Sequence, residues 1–368
     1  MIDIHKLQKL ADIIVNYSLA LKKGEKLLIR GYGFDGYPLI KEIYREAVKV
    51  GALTIDVRFS TDELAKIFYE NAIVKQLQYL DSIDLKVAEN YDAMVQIIAD
   101  SNPFELGCVD MKRKQIRTKT MKPLSDILHK KRWLLFYYPN LASAHTAKKS
   151  LEEWENFVLD ACIKDWKKEA KVQEKLIGIM SKVKHIRVLG HETDLSLSVA
   201  GQKWRKCCGE RNLPDGEVFT SPVRTSVNGY IRYNIPTRYM SKDFDFVKLW
   251  LKNGKVVKEA ASHDVRDLTA ILNTDSGSRY FGEFAFGLNH SILEPTREIL
   301  FDEKISRSLH MALGKCYEEA PNGNDSLIHW DLVFCFDPAQ AEIFFDGRKV
   351  YSKTKWTDPR FIFLNHRT

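Results

Sequence analysis

Strand-length apolar segments alternate with helix-length amphipathic ones through the first half of the chain, and the alternation stops near residue 184. In residues 3–21, Leu7, Leu10, Ile13, Ile14 and Tyr17 recur at threes and fours, which predicts a helix. A short apolar run at 26–30 follows, then a helix over about 37–50 closed by Gly51. Further strands are expected at 53–59, 93–99 and 133–138, and a long amphipathic stretch over about 150–183 ends this half. Strands that alternate with helices predict a mainly parallel sheet covered by helices, because parallel neighbours need a crossover between them.

From His185 onward the pattern is different. Short strands are bounded by the turn dipeptides Asp215-Gly216, Asn228-Gly229, Asn253-Gly254 and Asp346-Gly347. The segments flanking Asn253-Gly254 and Asp346-Gly347 read as hairpins with primed turns. The sequence therefore predicts an α/β amino-terminal domain over residues 1–184 and a β-rich α+β domain over residues 185–368.

Composition removes several function classes. Hydrophobic residues at 45% and charged residues at 29% are an ordinary globular balance, which excludes disordered and collagen-like chains. No apolar run approaches the ~18 residues of a spanning helix, so no membrane partner is expected. The first residues lack the apolar core of a secretory signal. Six cysteines, at 108, 162, 207, 208, 316 and 335, form no CxxC pair. They are expected to be reduced, structural thiols of a cytoplasmic protein. The net charge of +7 is diffuse, and clusters such as Lys130-Lys131-Arg132 read as solvated helix faces, so no nucleic-acid partner is expected.

Gly31, Gly33 and Gly36 form a G-x-G-x-x-G between a predicted strand and a helix, with Asp56 twenty residues beyond Gly36. That is the outline of a dinucleotide fingerprint, and it supplies the alternative reading of a nicotinamide-dependent oxidoreductase. Two details oppose it. Pro38 suits the first position of a helix that starts after Gly36, and Asp56 lies inside its strand rather than at the strand's carboxyl end.

Metal-ligand residue types gather in the second half. His329 and Asp331 are two apart ahead of an apolar run, so on a strand both point to one face. His310 lies in an apolar segment, and Glu283 is an isolated carboxylate among aromatics, costly to bury unless it is paired or ligates a metal. Glu217 opens a strand after Asp215-Gly216, and Asp302-Glu303 closes another apolar run. Two histidines with several carboxylates at strand ends point to mixed nitrogen and oxygen coordination of zinc, cobalt or manganese. A carboxylate-rich set of this kind suits a two-metal hydrolase, whose ions share and acidify a water.

The segments 211–222, 282–289, 300–305, 310–314 and 326–331 together resemble, in order and spacing, the aminopeptidase T (thermophilic aminopeptidase) family of dinuclear metallopeptidases. The resemblance is specific over about residues 186–337. It implies a cytoplasmic homodimeric exopeptidase that acts on peptides with a free amino terminus and carries two divalent ions. By position, Glu217, Glu283, His310, His329 and Asp331 would be metal ligands, with Glu283 the bridge and Glu303 a further ligand. Tyr317, seven residues after His310, matches a tyrosine at the family's site, where its phenol would hydrogen-bond the oxyanion of a tetrahedral intermediate.

Overall fold

The computed structural model describes residues 2–240 and 242–365. The chain forms two compact units, Met1–Lys164 with Gly209–Pro214, and Asp165–Cys208 with Asp215–Thr368. In the first unit, β1 (Lys26–Tyr32), β2 (Thr54–Ser60), β3 (Ala93–Ile98) and β4 (Arg132–Tyr137) pair in the order β2-β1-β3-β4. A short strand, Asn212–Leu213, extends the sheet beyond β4, and every pairing in it is parallel. Leu27, Ile29, Val95, Ile97, Leu134 and Phe136 are fully buried on one face and Leu28 and Met94 are buried on the other, as expected of strands covered on both faces. The predicted parallel α/β sheet is present.

The stretch read as one amphipathic run over 150–183 is two helices, Leu151–Cys162 and Trp166–Met180, assigned to different units. Ile163 leaves the helical region with ψ 86°, and the Asp165 side chain accepts from the Lys168 N–H to start the second helix. Leu176 and Met180 of that helix enter the β-rich core. The units therefore divide at Lys164 and Asp165, with residues 209–214 returning to the first.

Among the described residues, two large antiparallel sheets and a two-stranded pair, Thr237–Tyr239 with Lys242–Phe244, build the second unit. The larger has eight strands, and its edge hairpin Val247–Lys252 and Lys255–Ala261 turns at Asn253-Gly254, where both residues have positive φ (51° and 80°). Asp346 and Gly347 repeat this geometry at 48° and 80° between Glu342–Phe345 and Arg348–Ser352. Positive φ at both central residues defines the primed turn that Asn-Gly and Asp-Gly favour.

The smaller sheet holds β5 (Arg205–Cys207), β6 (Glu217–Thr220), β7 (Phe281–Gly287), β8 (Ser308–Gly314) and β9 (His329–Cys335), in the order β9-β8-β7-β6-β5. Val218, Phe284, Phe286, Leu309, Met311, Leu313, Trp330, Leu332 and Phe334 share one apolar core with Val188, Leu195, Ile231, Leu249 and Ile343 of the larger sheet. Each fully buried side chain of this size contributes roughly 1.5–3 kcal/mol. The apolar face thus anchors the small sheet and leaves its other face available for polar groups.

Candidate metal centre

Side chains alternate across a strand, so the residues between those core positions project to the opposite face. On β7 these are Glu283, Ala285 and Gly287, on β8 His310, Ala312 and Gly314, on β9 His329 and Asp331, and on β6 Glu217. Register sets them side by side. Gly287 stands opposite Glu217, Ala285 opposite His310, Ala312 opposite both Glu283 and Asp331, and Gly314 opposite His329. Each of these residues has alanine or glycine opposite it on at least one side, which leaves room for an acidic bowl, with Val333 on the other side of His310 and Phe219 beyond Ala285.

The helix Ile299–Asp302 delivers Glu303 and Lys304 to this bowl. Gly287 permits the approach, since a Cβ there would lie 2.2 Å from the Ile305 carbonyl oxygen and 3.0 Å from that of Glu303. Asn289 N–H donates to the Lys304 carbonyl at 3.0 Å and fixes the segment. Asp302 turns away from the bowl, accepting from the Thr296 hydroxyl and from the N–H of Arg297.

His310 Nε2 lies 3.2 Å from Glu217 Oε2 and 3.5 Å from Glu283 Oε1. His329 Nε2 lies 3.4 Å from Glu283 Oε2 and 3.5 Å from Asp331 Oδ2. The Nδ1 of His329 bonds to the Lys315 carbonyl at 2.8 Å, which aims Nε2 into the bowl. Tyr317 packs its ring against His329, centroids 4.8 Å apart, and is 46% exposed. Thus Glu217, Glu283, Glu303, His310, His329, Asp331 and Tyr317 all come together at one face of one sheet.

The electrostatics are those of a crowded acidic cavity. Burial alone would lower the His310 pKa, but Glu283 and the charges of Glu217 and Asp331 raise it to about 9. The same opposition, with Asp331 the largest raising influence, carries His329 to about 10. Burial pushes the Glu303 carboxyl up, and Asp331 likewise. Glu283 moves the other way, because the two imidazoles outweigh its burial.

Ligand atoms fall into groups lying within 4.8 Å of one another: Glu217, Glu283 and His310; Glu283, His329 and Asp331; Glu303, His310 and Asp331; and Cys207, Asp215 and Glu217. His310 Nδ1, His329 Nε2 and Asp331 Oδ1 are buried without a hydrogen-bond partner. Buried polar atoms left unpaired among clustered carboxylates are costly for a protein alone, and His329 Nε2 and Asp331 Oδ1, which face each other's residues in the bowl, fit cation coordination. The donor set, nitrogen and oxygen together, fits a divalent transition metal.

Three participants escape a reading of the sequence. Lys304 is 1% exposed and reaches Glu217, Glu303 and Asp215. Asp215 resembles a turn residue, and Cys207 one more structural thiol. The one available signal for Lys304 was a lysine directly after Asp302-Glu303 in the apolar segment 299–305.

The glycine loop of the first unit lacks the geometry of a dinucleotide turn, although Gly33, Phe34 and Asp35 line a cavity of about 460 Å³. The helix Tyr37–Val50 starts after Gly36, with Pro38 in its first turn. Gly33 has φ +78°, and a Cβ there would meet the Ala99 carbonyl at 2.2 Å. Asp56 accepts a 2.6 Å hydrogen bond from Tyr91 and pairs with Arg58 inside β2. These residues serve packing and turn geometry.

The β-rich unit with a His and carboxylate bowl has the donor set of a divalent-metal protein. The profile of the thermophilic metalloprotease (M29) family matches residues 4–350, so the chain belongs to that family. Aminopeptidase 2 of Geobacillus stearothermophilus is 26% identical, over 93% of this chain and 94% of that protein. Among solved structures, AmpT of Thermus thermophilus superposes with a TM-score of 0.85 at 20% identity, covering 96% of this chain and 99% of that one. A dioxygenase of Pseudomonas putida KT2440 shares the fold more distantly, with a TM-score of 0.60 at 10% identity and coverage of 98% and 99%. Fold likeness therefore leaves the chemistry to the site. Among the described residues no helix is long and apolar enough to cross a membrane.

Proposed function

We propose that the chain is a metal-dependent aminopeptidase that removes amino-terminal residues from peptides using two divalent ions of zinc, cobalt or manganese. Glu217 and His310 would hold one ion, His329 and Asp331 the other, and Glu283 would bridge them, with Glu303 a further ligand beside His310 and Asp331. The observation that carries this reading is that Glu283 belongs to two ligand groups, one oxygen near each histidine. Membership of a metalloprotease family and likeness to named aminopeptidases support the reaction class.

Bound there, the ions would polarise the scissile carbonyl and acidify a water. The residues of the chain supply the rest. The Lys315 carbonyl holds His329 in the tautomer that leaves Nε2 free to bind an ion. Tyr317, at the exposed lip beside His329, can donate its phenol proton to a developing oxyanion. The same reading includes a cytoplasmic homodimer, and the six free thiols suit a reducing compartment.

Metal analysis tests the proposal. Protein reconstituted with Co²⁺, Zn²⁺ or Mn²⁺ is expected to retain up to two ions per chain and to hydrolyse unblocked dipeptides. Reconstituted protein that retains none sinks the reading.

A further inference from the structure

Lys304 carries an ammonium into the most buried end of the bowl. Its Nζ stands 2.6 Å from Glu303 Oε1, 2.8 Å from Glu217 Oε2 and 3.8 Å from Asp215 Oδ1, and the residue is 1% exposed. Asp215 and Glu217 are also members, with the Cys207 sulfur, of a group whose ligand atoms lie within 4.8 Å of one another. A thiol with two carboxylates is a donor set that zinc, cobalt or cadmium accepts readily.

We propose that the Lys304 ammonium is the resident cation of this group: it takes the place a divalent ion would occupy among Cys207, Asp215 and Glu217, and so confines metal to the two groups joined at Glu283. The inference rests on the two-metal reading above. Two buried carboxylates need a nearby positive charge, and a lysine provides it without drawing on free metal. The compact ammonium is a point charge that can stand among several carboxylates at once. Its position is set by the backbone, through the Asn289 bond to the Lys304 carbonyl and the close pass over Gly287.

The consequence falls on Glu217, which belongs to this group and to the one containing Glu283 and His310. An ion lodged beside Cys207 would compete for the Glu217 carboxylate and weaken the ion at His310. Lys304 is in this sense a positioning residue, since its Nζ and His310 Nε2 meet the same Glu217 oxygen, Oε2, at 2.8 and 3.2 Å.

Cobalt binding gives the test, because a thiolate bound to Co²⁺ shows a near-ultraviolet sulfur-to-cobalt charge-transfer band. Wild-type protein in excess Co²⁺ is expected to hold two ions per chain without that band. Lys304→Ala is expected to hold one more ion and to display the band. Cys207→Ser in the same background should remove the band, and added propylammonium, matching the deleted part of the side chain, should make it fade. A folded Lys304→Ala protein with the wild-type count and no band overturns the inference. So does a band in the wild-type protein, which settles the matter even where Lys304→Ala does not accumulate in folded form. A wild-type protein that takes up no cobalt overturns instead the two-metal reading on which the inference rests.

Discussion

Glu283 Oε1 lies 3.5 Å from His310 Nε2, across the pair formed by β7 and β8. The other oxygen of the same carboxylate is turned toward β9, 3.4 Å from His329 Nε2. A buried carboxylate shared between two imidazoles has the disposition that two neighbouring cations require. It arises because Glu283 sits opposite Ala312, which leaves open the route to both sides.

Glu283→Gln keeps the shape of the side chain and removes the charge. The variant is expected to fold, to lose occupancy of at least one ion, and to lose turnover by several orders of magnitude. Circular dichroism, elemental analysis and rates under saturating metal check the three parts. Rates equal to wild type would falsify a role for Glu283 in the centre.

The raised imidazoles make metal uptake a proton-releasing step. In protein stripped of metal, His310 and His329 stay protonated up to about pH 9 and about pH 10 respectively. A metal binds only the neutral ring, so these protons must leave when it arrives. Affinity should therefore rise with pH from 7 toward 9, by roughly tenfold per pH unit for each proton released. Titration calorimetry in two buffers of different ionisation enthalpy measures the proton count, and an uptake independent of buffer would refute the imidazoles as ligands.

Much of this centre was legible because strand alternation is a strong rule. In Phe281–Gly287 and Ser308–Gly314 the large apolar residues Phe284, Phe286, Leu309, Met311 and Leu313 mark one face and Glu283 and His310 fall on the other by alternation, while a bulge between Phe281 and Glu283 returns Phe281 to the core. Parity also places His329 with Asp331. Lys304 was not legible in that way, because it lies outside a strand and its burial depends on a segment crossing Gly287. The same limit applied to residues 150–183, where a continuous amphipathic pattern concealed the break at Ile163 and the new start at Asp165.

Gly287→Ala tests that crossing. The added Cβ would stand 2.2 Å from the Ile305 carbonyl and 2.8 Å from the Ser308 hydroxyl, so the segment carrying Glu303 and Lys304 must shift. A destabilisation of about 1–3 kcal/mol is expected from such overpacking. Metal affinity should fall as well, measured by competition with a chelator. Unchanged stability and affinity together would show that the segment moves freely.

The glycine loop of the first unit predicts the opposite pattern. Gly33→Ala forces a left-handed φ of +78° on an L side chain and drives Cβ against the Ala99 carbonyl. The cost is roughly 1–3 kcal/mol of stability, with turnover of folded protein little changed. NADH should neither bind nor be consumed. Saturable NADH fluorescence, abolished by Gly33→Ala, would restore the oxidoreductase reading.

Substrate choice exposes the chemistry most directly. An exopeptidase must recognise the chain end, and the feature common to all amino termini is the α-amine. Glu217, Glu283, Glu303 and Asp331 line the bowl in overlapping ligand groups, and loaded with divalent ions they would offer a Lewis acid to the neutral amine. Unblocked dipeptides and aminoacyl-anilides should therefore be cleaved, and the same compounds with an acetylated amino terminus should not. Acetylation leaves the scissile bond unaltered, so a lost rate reports the contact to the amine alone. Activity should vanish with chelator and return when Co²⁺, Zn²⁺ or Mn²⁺ is added back, which separates loss of metal from loss of fold. Equal rates on blocked and free substrates would mean an endopeptidase or amidohydrolase, because neither of those measures the α-amine.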